Sequence, residues 1–404
     1  MSPQFSFEVM AQDKSSRARI GIIYTAHGNI ETPYLIPVAT RGHIVALSTE
    51  DIEKLNIQAL LANTYHLHLK PGDKKIKSLG GIHNFMKFQK PIFTDSGGFQ
   101  AFSLGLGRQT NARKIGFLPG EKPLKQNADE SYAKITEEGI YFISTYDDKS
   151  EHFIGPEESM KIQSNLGADI IMAFDECTSA GSDKKYIEKS MERSHRWELE
   201  SLKFRNPQQA LYGIIHGGWF KPLRIKSAQF VKSQNFDGIA RGGSLGQTKK
   251  EMHEILDWIA PLLDGDLRPR HMLGIGWIDD IFECVERGID TFDCVEMTRI
   301  ARHGDLYISP ASQGSIKNKF QLDIKKSKYK TDKNKIDKNC SCSTCESYNR
   351  SDIHKLIKQK SPEYARLATI HNVYFILNLM RQIRESIKLG EFEELKKHWL
   401  GSLK

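Results

Sequence analysis

Eight short apolar runs, at residues 34–38, 58–62, 91–94, 169–173, 211–215, 238–240, 272–275 and 289–292, constrain the fold more than any other feature of the chain. Each is short enough to be a buried strand. Between most of them lie stretches with apolar residues at helical spacing: 48–55, 156–166, 186–204, 249–263 and 278–286. Several open with an acidic residue or a proline in the first turn, as helices do. Strand then helix, repeated, calls for a parallel α/β sheet. Eight repeats in about 260 residues suit a closed (β/α)8 TIM barrel, with the doubly wound open sheet as its competitor.

The polar residues favour the barrel. The runs end in Asn63-Thr64, Asp95-Ser96-Gly97-Gly98, Asp175-Glu176, His216-Gly217-Gly218, Arg241-Gly242-Gly243, Gly274-Ile275-Gly276 and Asp293. In a barrel these gather at the C-terminal mouth, where such enzymes place their chemistry, and the glycines let backbone approach a ligand. Residues 1–315 are therefore expected to form a catalytic barrel, and 316–404 an appended subdomain with C-terminal helices that pack on it. Residues 105–133 are polar, contain glycine and lysine and lack periodicity, which predicts a long surface loop. Residues 364–387 carry apolar residues at the spacing of a long amphipathic helix.

No stretch approaches the roughly 20 apolar residues of a membrane span, and the first 19 residues are too polar for a signal peptide. The chain reads as cytoplasmic, with no membrane partner. Its net charge of +8 suits a polyanionic partner, and nine lysines crowd residues 316–338.

Cys340-x-Cys342-x2-Cys345 puts three thiols within six residues, close enough for one tight turn to aim all three at one ion. In a reducing compartment that spacing points to zinc rather than disulfides. His354 and His371 are the candidates for a fourth ligand. Four filled positions make the ion structural, with no open site to activate water.

Asp95, Asp175 and Asp293 close three different runs, so a barrel can bring them to one substrate. Two carboxylates suit glycosidic chemistry: one attacks the anomeric carbon and the other gives a proton to the leaving group. The competing reading for any one of them is a helix cap or a partner for a barrel arginine.

Four blocks together resemble the bacterial-type tRNA-guanine transglycosylases: Thr94-Asp95-Ser96-Gly97-Gly98-Phe99-Gln100; Phe174-Asp175-Glu176-Cys177-Thr178; Gly288 to Val295 with Thr298-Arg299; and the cysteine cluster with His371-Asn372. The resemblance runs from about residue 32 to residue 387, in family order. It implies a barrel with an inserted zinc subdomain. It also implies exchange of the wobble guanine of GUN-anticodon tRNAs for a 7-deazaguanine (preQ1 or queuine), in queuosine biosynthesis. On this resemblance Asp293 is the nucleophile that forms a covalent ribosyl intermediate, and Asp95 is the general acid/base. Asp175, Phe99, His216, Gly243 and Leu273 bind the base, with Phe99 and Leu273 as its two covers. Arg299, Arg302 and Asp280 meet the tRNA. Cys340, Cys342, Cys345 and His371 hold one structural Zn2+ per chain. The partners implied are tRNA, guanine and 7-deazaguanine bases, and a second copy in a homodimer.

The chain departs from the family at several points. His216 stands where a glutamine is usual, Trp277 replaces a lysine, Glu296-Met297 replaces a pair ending in proline, and the 242–247 loop is one residue short. Residues 107–133 form an insertion. His216, Trp277 and Glu296-Met297 motivate one alternative to tRNA base exchange, a base-exchange enzyme acting on DNA or an atypical tRNA; a second, a non-catalytic tRNA-binding partner subunit that kept the fold and the zinc, is opposed by the intact Asp95 and Asp293.

Overall fold

The computed structural model describes residues 4–101, 133–144, 146, 150–179 and 181–401. Each apolar run meets one strand of a single sheet, Tyr34–Pro37, Leu60–Ala62, Ile92–Thr94, Ile170–Met172, Ala210–Ile215, Gly238–Arg241, Arg270–Met272 and Thr291–Cys294, but the seventh strand lies ahead of its run and shares only Met272 with 272–275, and the eighth shares only Thr291 and Phe292 with 289–292. Neighbours in the chain are parallel neighbours in the sheet. The eighth strand returns to the first, pairing Asp293 with Ile36. A parallel bridge between Val38 and Leu61, with the Ala39 N–H donating to the Leu61 carbonyl at 2.7 Å, joins the first strand to the second and closes the ring.

Closure explains why the first five strands are almost wholly apolar, since both faces of each strand are covered. Tyr34, Ile36, Leu61, Phe93, Met172, Tyr212, Ile214 and Ala240 fill the interior. The alternate residues, such as Leu35, Ile92, Ile171, Leu211, Ile239 and Phe292, face the surrounding helices. The same alternation corrects one expectation. Arg241 follows inward-facing Ala240, so it turns outward beneath the helix Ile278–Glu286 and is buried rather than presented at the mouth.

Three antiparallel strands unassigned from sequence, Ser6–Gln12, Arg19–Thr25 and Gly28–Thr32, cover the N-terminal end of the barrel. Their Ile23 and Ile30 join the interior cluster. Arg19 makes a buried ion pair with Asp290 at 2.7 Å. His27 and His83 grip the two oxygens of Asp169 at 2.7 and 3.1 Å, clasping a hairpin turn to the barrel floor. The expected insertion near 107–133 lies outside the described residues except for Ala133. That residue opens a second antiparallel sheet of Ala133–Ile135, Ile140–Ile143 and Glu151–Ile154.

The helices follow their local signals. Ser48 and Thr248 each form a capping box, with Asp51 and Glu251. Pro156 starts one helix, and Gly167 ends it in the left-handed region at φ 76°. The periodic stretch 249–263 is an α-helix only over Lys249–Ile259 and continues as a 3-10 turn, because Pro261 has no N–H for the next helical bond. The helix Pro362–Leu389 covers the expected 364–387 and packs against the helix Glu296–His303 and the first barrel strand.

Beyond the eighth strand, Asp305–Tyr307 pairs antiparallel with Gln321–Asp323. Leu306, Ile308, Leu322, Ile324 and Ile336 then pack with the three clustered cysteines in a separate small core. All nine lysines of 316–338 point to solvent, while Phe320, Leu322, Ile324, Tyr329 and Ile336 of the same segment turn inward.

Candidate active site and metal centre

The strand ends bring Asp95, Asp175, His216, Gly243, Leu273 and Asp293 to one end of the barrel. Asp95 follows the third strand. Its Oδ1 accepts the Thr64 N–H at 2.8 Å; its Oδ2 accepts the amides of Asn63 and, at 2.8 Å, Gln100. Those bonds favour the charged form, yet burial, helped by the negative charge of Asp293, pushes the Asp95 carboxyl up to about 6. It thus keeps a protonated minority near neutral pH, the condition for giving and taking a proton in one cycle.

Asp293 lies within the eighth strand and remains 15% exposed. Its Oδ1 accepts from His271 Nε2 at 3.2 Å and from the Gly274 N–H at 3.1 Å. Among the described residues no donor bonds Oδ2.

Asp175 sits three residues beyond the fourth strand, with its Oδ1 taking the Ser96 hydroxyl at 3.1 Å. Burial, reinforced by the charges of Asp95 and Glu176, pushes its carboxyl up to about 7. His216 Nε2 lies 3.4 Å from the other Asp175 oxygen and makes no hydrogen bond among the described residues. Burial, with the charges of Arg224 and His195, pushes His216 well below its usual value, so the ring is neutral and can donate or accept. Cys177, next along, is pushed up to about 12 by burial and by the neighbouring carboxylates, so it stays a thiol and is no rival nucleophile.

Backbone shape completes the recess. Gly243 has φ +66°, and a Cβ there would stand 3.1 Å from His216 Nδ1. At Gly98 a Cβ would come within 2.7 Å of the Asp175 carbonyl, so the loops after the third and fourth strands can meet only through glycine. Leu273 is half-buried just after the seventh strand, and Phe99 is exposed in the helical stretch that begins at Gly98.

Two residues that shape this end had no signal in the sequence. Arg224 is fully buried and donates to the carbonyls of Gly218, Ile215, Gly242 and Ser244 at 2.6–3.1 Å, tying together the loops after the fifth and sixth strands. His271 is the donor to Asp293. A lone arginine in a helix and a lone histidine in a strand look like ordinary surface and core residues. By contrast, Asn63-Thr64 and Gln100, which surround Asp95, lie within strand-end segments that the sequence does mark.

Arg299 and Arg302 lie on the helix Glu296–His303 that follows the eighth strand, three positions apart and so side by side. Arg299 is exposed, and half-buried Arg302 donates to the Thr298 carbonyl at 2.8 Å. Asp280 is buried, with Lys249 Nζ 3.0 Å from its carboxylate. Trp277 lies beside it, with the ammonium groups of Lys319 and Lys249 at 4.8 and 5.8 Å from its ring centre.

The cysteine cluster meets the long C-terminal helix. The Sγ atoms of Cys340, Cys342 and Cys345 stand 3.6, 3.6 and 3.3 Å from His371 Nδ1, and all four residues are buried. These separations suit a tetrahedral ion with bonds of about 2.3 Å to sulfur and about 2.0 Å to nitrogen. His371 Nε2 bonds the Tyr307 carbonyl at 2.8 Å, which sets the tautomer and leaves Nδ1 to the ion. His354 is spent elsewhere, its Nδ1 on the Ile324 carbonyl at 2.7 Å. The residues present therefore fit a structural metal with a Cys3His donor set.

Comparison with known proteins follows the same line. Residues 13–404 match the family described as Queuine tRNA-ribosyltransferase. The chain is 48% identical to a protein of Archaeoglobus fulgidus named "Putative queuine tRNA-ribosyltransferase", over 95% of the chain and 97% of that protein. It is 42% identical to the "Queuine tRNA-ribosyltransferase" of Roseiflexus sp. (strain RS-1), over 98% of the chain and 99% of the relative. It is 41% identical to the protein of the same name from Halothermothrix orenii, over 98% and 97%.

Proposed function

The chain belongs to the queuine tRNA-ribosyltransferase family, and from that premise we propose that it exchanges the wobble guanine of GUN-anticodon tRNAs for a 7-deazaguanine by double displacement. The observation that carries this reading is the pairing at the barrel mouth of Asp293, with one oxygen free of donors among the described residues, and Asp95, pushed up to about 6 by burial and by the charge of Asp293.

Asp293 attacks C1′ of the ribose while Asp95 protonates the departing guanine. The incoming base then displaces Asp293 as Asp95 takes its proton, so configuration is retained. Asp175 accepts hydrogen bonds from the N1–H and amino groups of guanine, with the neutral His216 ring and the backbone of Gly243 beside it. Phe99 and Leu273 cover the two faces of a base taken out of its stack. Arg299 and Arg302 contact the anticodon loop, where Asp280 acts through the Lys249 ammonium it holds. The exposed lysines of 316–338 add attraction for phosphates. Cys340, Cys342, Cys345 and His371 hold one structural zinc, which ties the segment after the barrel to the long C-terminal helix. A homodimer completes the proposed assembly.

The test is uptake of radiolabelled guanine into unmodified GUN-anticodon tRNA, with duplex DNA in parallel. Incorporation into tRNA alone that disappears in Asp293→Ala, with tRNA binding retained, is the expected result. Turnover by Asp293→Ala would remove the nucleophile assignment. Incorporation into neither polymer would favour a non-catalytic partner subunit, and incorporation into DNA a different nucleic-acid substrate.

A further inference from the structure

Asp293 and His271 are joined by more than proximity. His271 is on the seventh strand and pairs across the sheet with Thr291, and Thr291 is two residues from Asp293 on the same face of the eighth strand. All three side chains therefore point into the barrel. His271 is fully buried and stacks on the interior ring of Phe93, with centroids 5.7 Å apart. Its Nδ1 is 2.9 Å from Thr291 Oγ1 and its Nε2 is 3.2 Å from Asp293 Oδ1.

His271 Nε2 is the donor of this contact and the Asp293 oxygen its acceptor. Nδ1 is held in turn by the Thr291 hydroxyl. The imidazole is held at three points: by Thr291, by the face of Phe93 and by Asp293 itself. The Gly274 N–H, at 3.1 Å, supplies the second bond to the same oxygen, Oδ1.

We propose that His271 is a positioning residue for Asp293, pinning Oδ1 so that Oδ2 is the oxygen that attacks the anomeric carbon. The inference rests on Asp293 being the nucleophile. In the first half-reaction the Oδ2–C1′ bond forms and the C1′–N9 bond breaks. Its electron pair leaves on guanine, which takes the proton of Asp95. In the resulting ester Oδ1 is the carbonyl oxygen and keeps both of its donors. In the second half-reaction a ring nitrogen of the incoming base bonds to C1′, its proton passes to Asp95, and the C1′–Oδ2 pair returns to the carboxylate. Charge thus rebuilds on Oδ1 as the ester breaks, and the His271 and Gly274 donors strengthen at that moment. Without His271 the carboxylate is free to rotate away from its attacking geometry.

The test compares His271→Phe, which fills the ring site without a donor, with His271→Gln, whose amide nitrogen reaches the place of Nε2. Guanine exchange into tRNA gives kcat and KM, and a denaturing gel gives the covalent enzyme–tRNA adduct. A misplacement of the attacking oxygen predicts a fall in kcat of roughly 10²-fold in His271→Phe, with KM for guanine and tRNA within about threefold, and recovery of most of that loss in His271→Gln. If the phenyl ring prevents folding, His271→Leu against His271→Gln makes the same comparison. Parental kcat in the donorless variant, or equal losses with and without the donor, would overturn the proposal. In either case an inactive, adduct-free Asp293→Ala would leave the nucleophile assignment standing, whereas turnover by Asp293→Ala is the failure of that earlier reading.

Discussion

Replacing Asp175 by asparagine should make the protein more stable and less able to hold guanine, and the stability gain should depend on pH. In the fold this carboxyl titrates near 7 instead of its usual 3.8, mainly because it is buried and also because Asp95 and Glu176 are negative. Between about pH 4 and pH 7 the folded protein keeps the Asp175 proton and the unfolded chain has lost it, so rising pH favours unfolding. Above 7 both forms are ionised, and the penalty is constant at about 4 kcal/mol, taking about 1.36 kcal/mol per pKa unit. Asparagine does not titrate, and its carbonyl still accepts the Ser96 hydroxyl. Urea unfolding at pH 5.5 and pH 8 should therefore show the variant's advantage growing by about 2 kcal/mol between the two conditions. The same variant loses one acceptor facing the guanine edge and gains an amide that meets ring N–H groups donor to donor. A charge-assisted bond is worth about 1.5–3 kcal/mol, so KM for guanine should rise roughly 10- to 150-fold. For the parent protein, guanine binding should weaken as pH falls below 7 and Asp175 takes up its proton. A stability gap that does not change with pH, or an unchanged KM, would refute the electrostatic account of this residue.

Removing one thiolate in Cys342→Ala should release the metal, with zinc content falling from one per chain toward zero by elemental analysis. Resistance to proteolysis should fall between residues 305 and 371, because the small core there is built around the cluster. Arg224→Met should leave four loop carbonyls without their shared donor and lower stability in urea unfolding, by about 1–3 kcal/mol for an acceptor left unsatisfied. It should also raise KM for guanine through the displaced Gly242–Ser244 segment, while tRNA affinity in a filter-binding assay stays within about twofold.

Several features were legible in the sequence because they are local. Most of the barrel strands lie in short apolar runs whose ends carry glycine or a polar residue, and period and turn chemistry act over a few residues. The three cysteines are close enough in the chain for their spacing to imply one ion. Pro261 could also have been read as the end of its helix, since a proline acts on the residue four before it.

The closed barrel decided the rest, through contacts between residues far apart in the chain. Spacing could not choose between His354 and His371; the structure does, because Tyr307 holds one ring facing the cysteines and Ile324 occupies the other. Alternation along a strand sends Arg241 outward and His271 inward, but only closure sets His271 against Asp293. Asp280 looks like a surface acid in its helix and is instead buried against Lys249. The ionisation of Asp95 and Asp175 was likewise beyond reach of the sequence. Desolvation and charge at those carboxyls depend on which groups the barrel packs around them, and none of those distances is set by position along the chain.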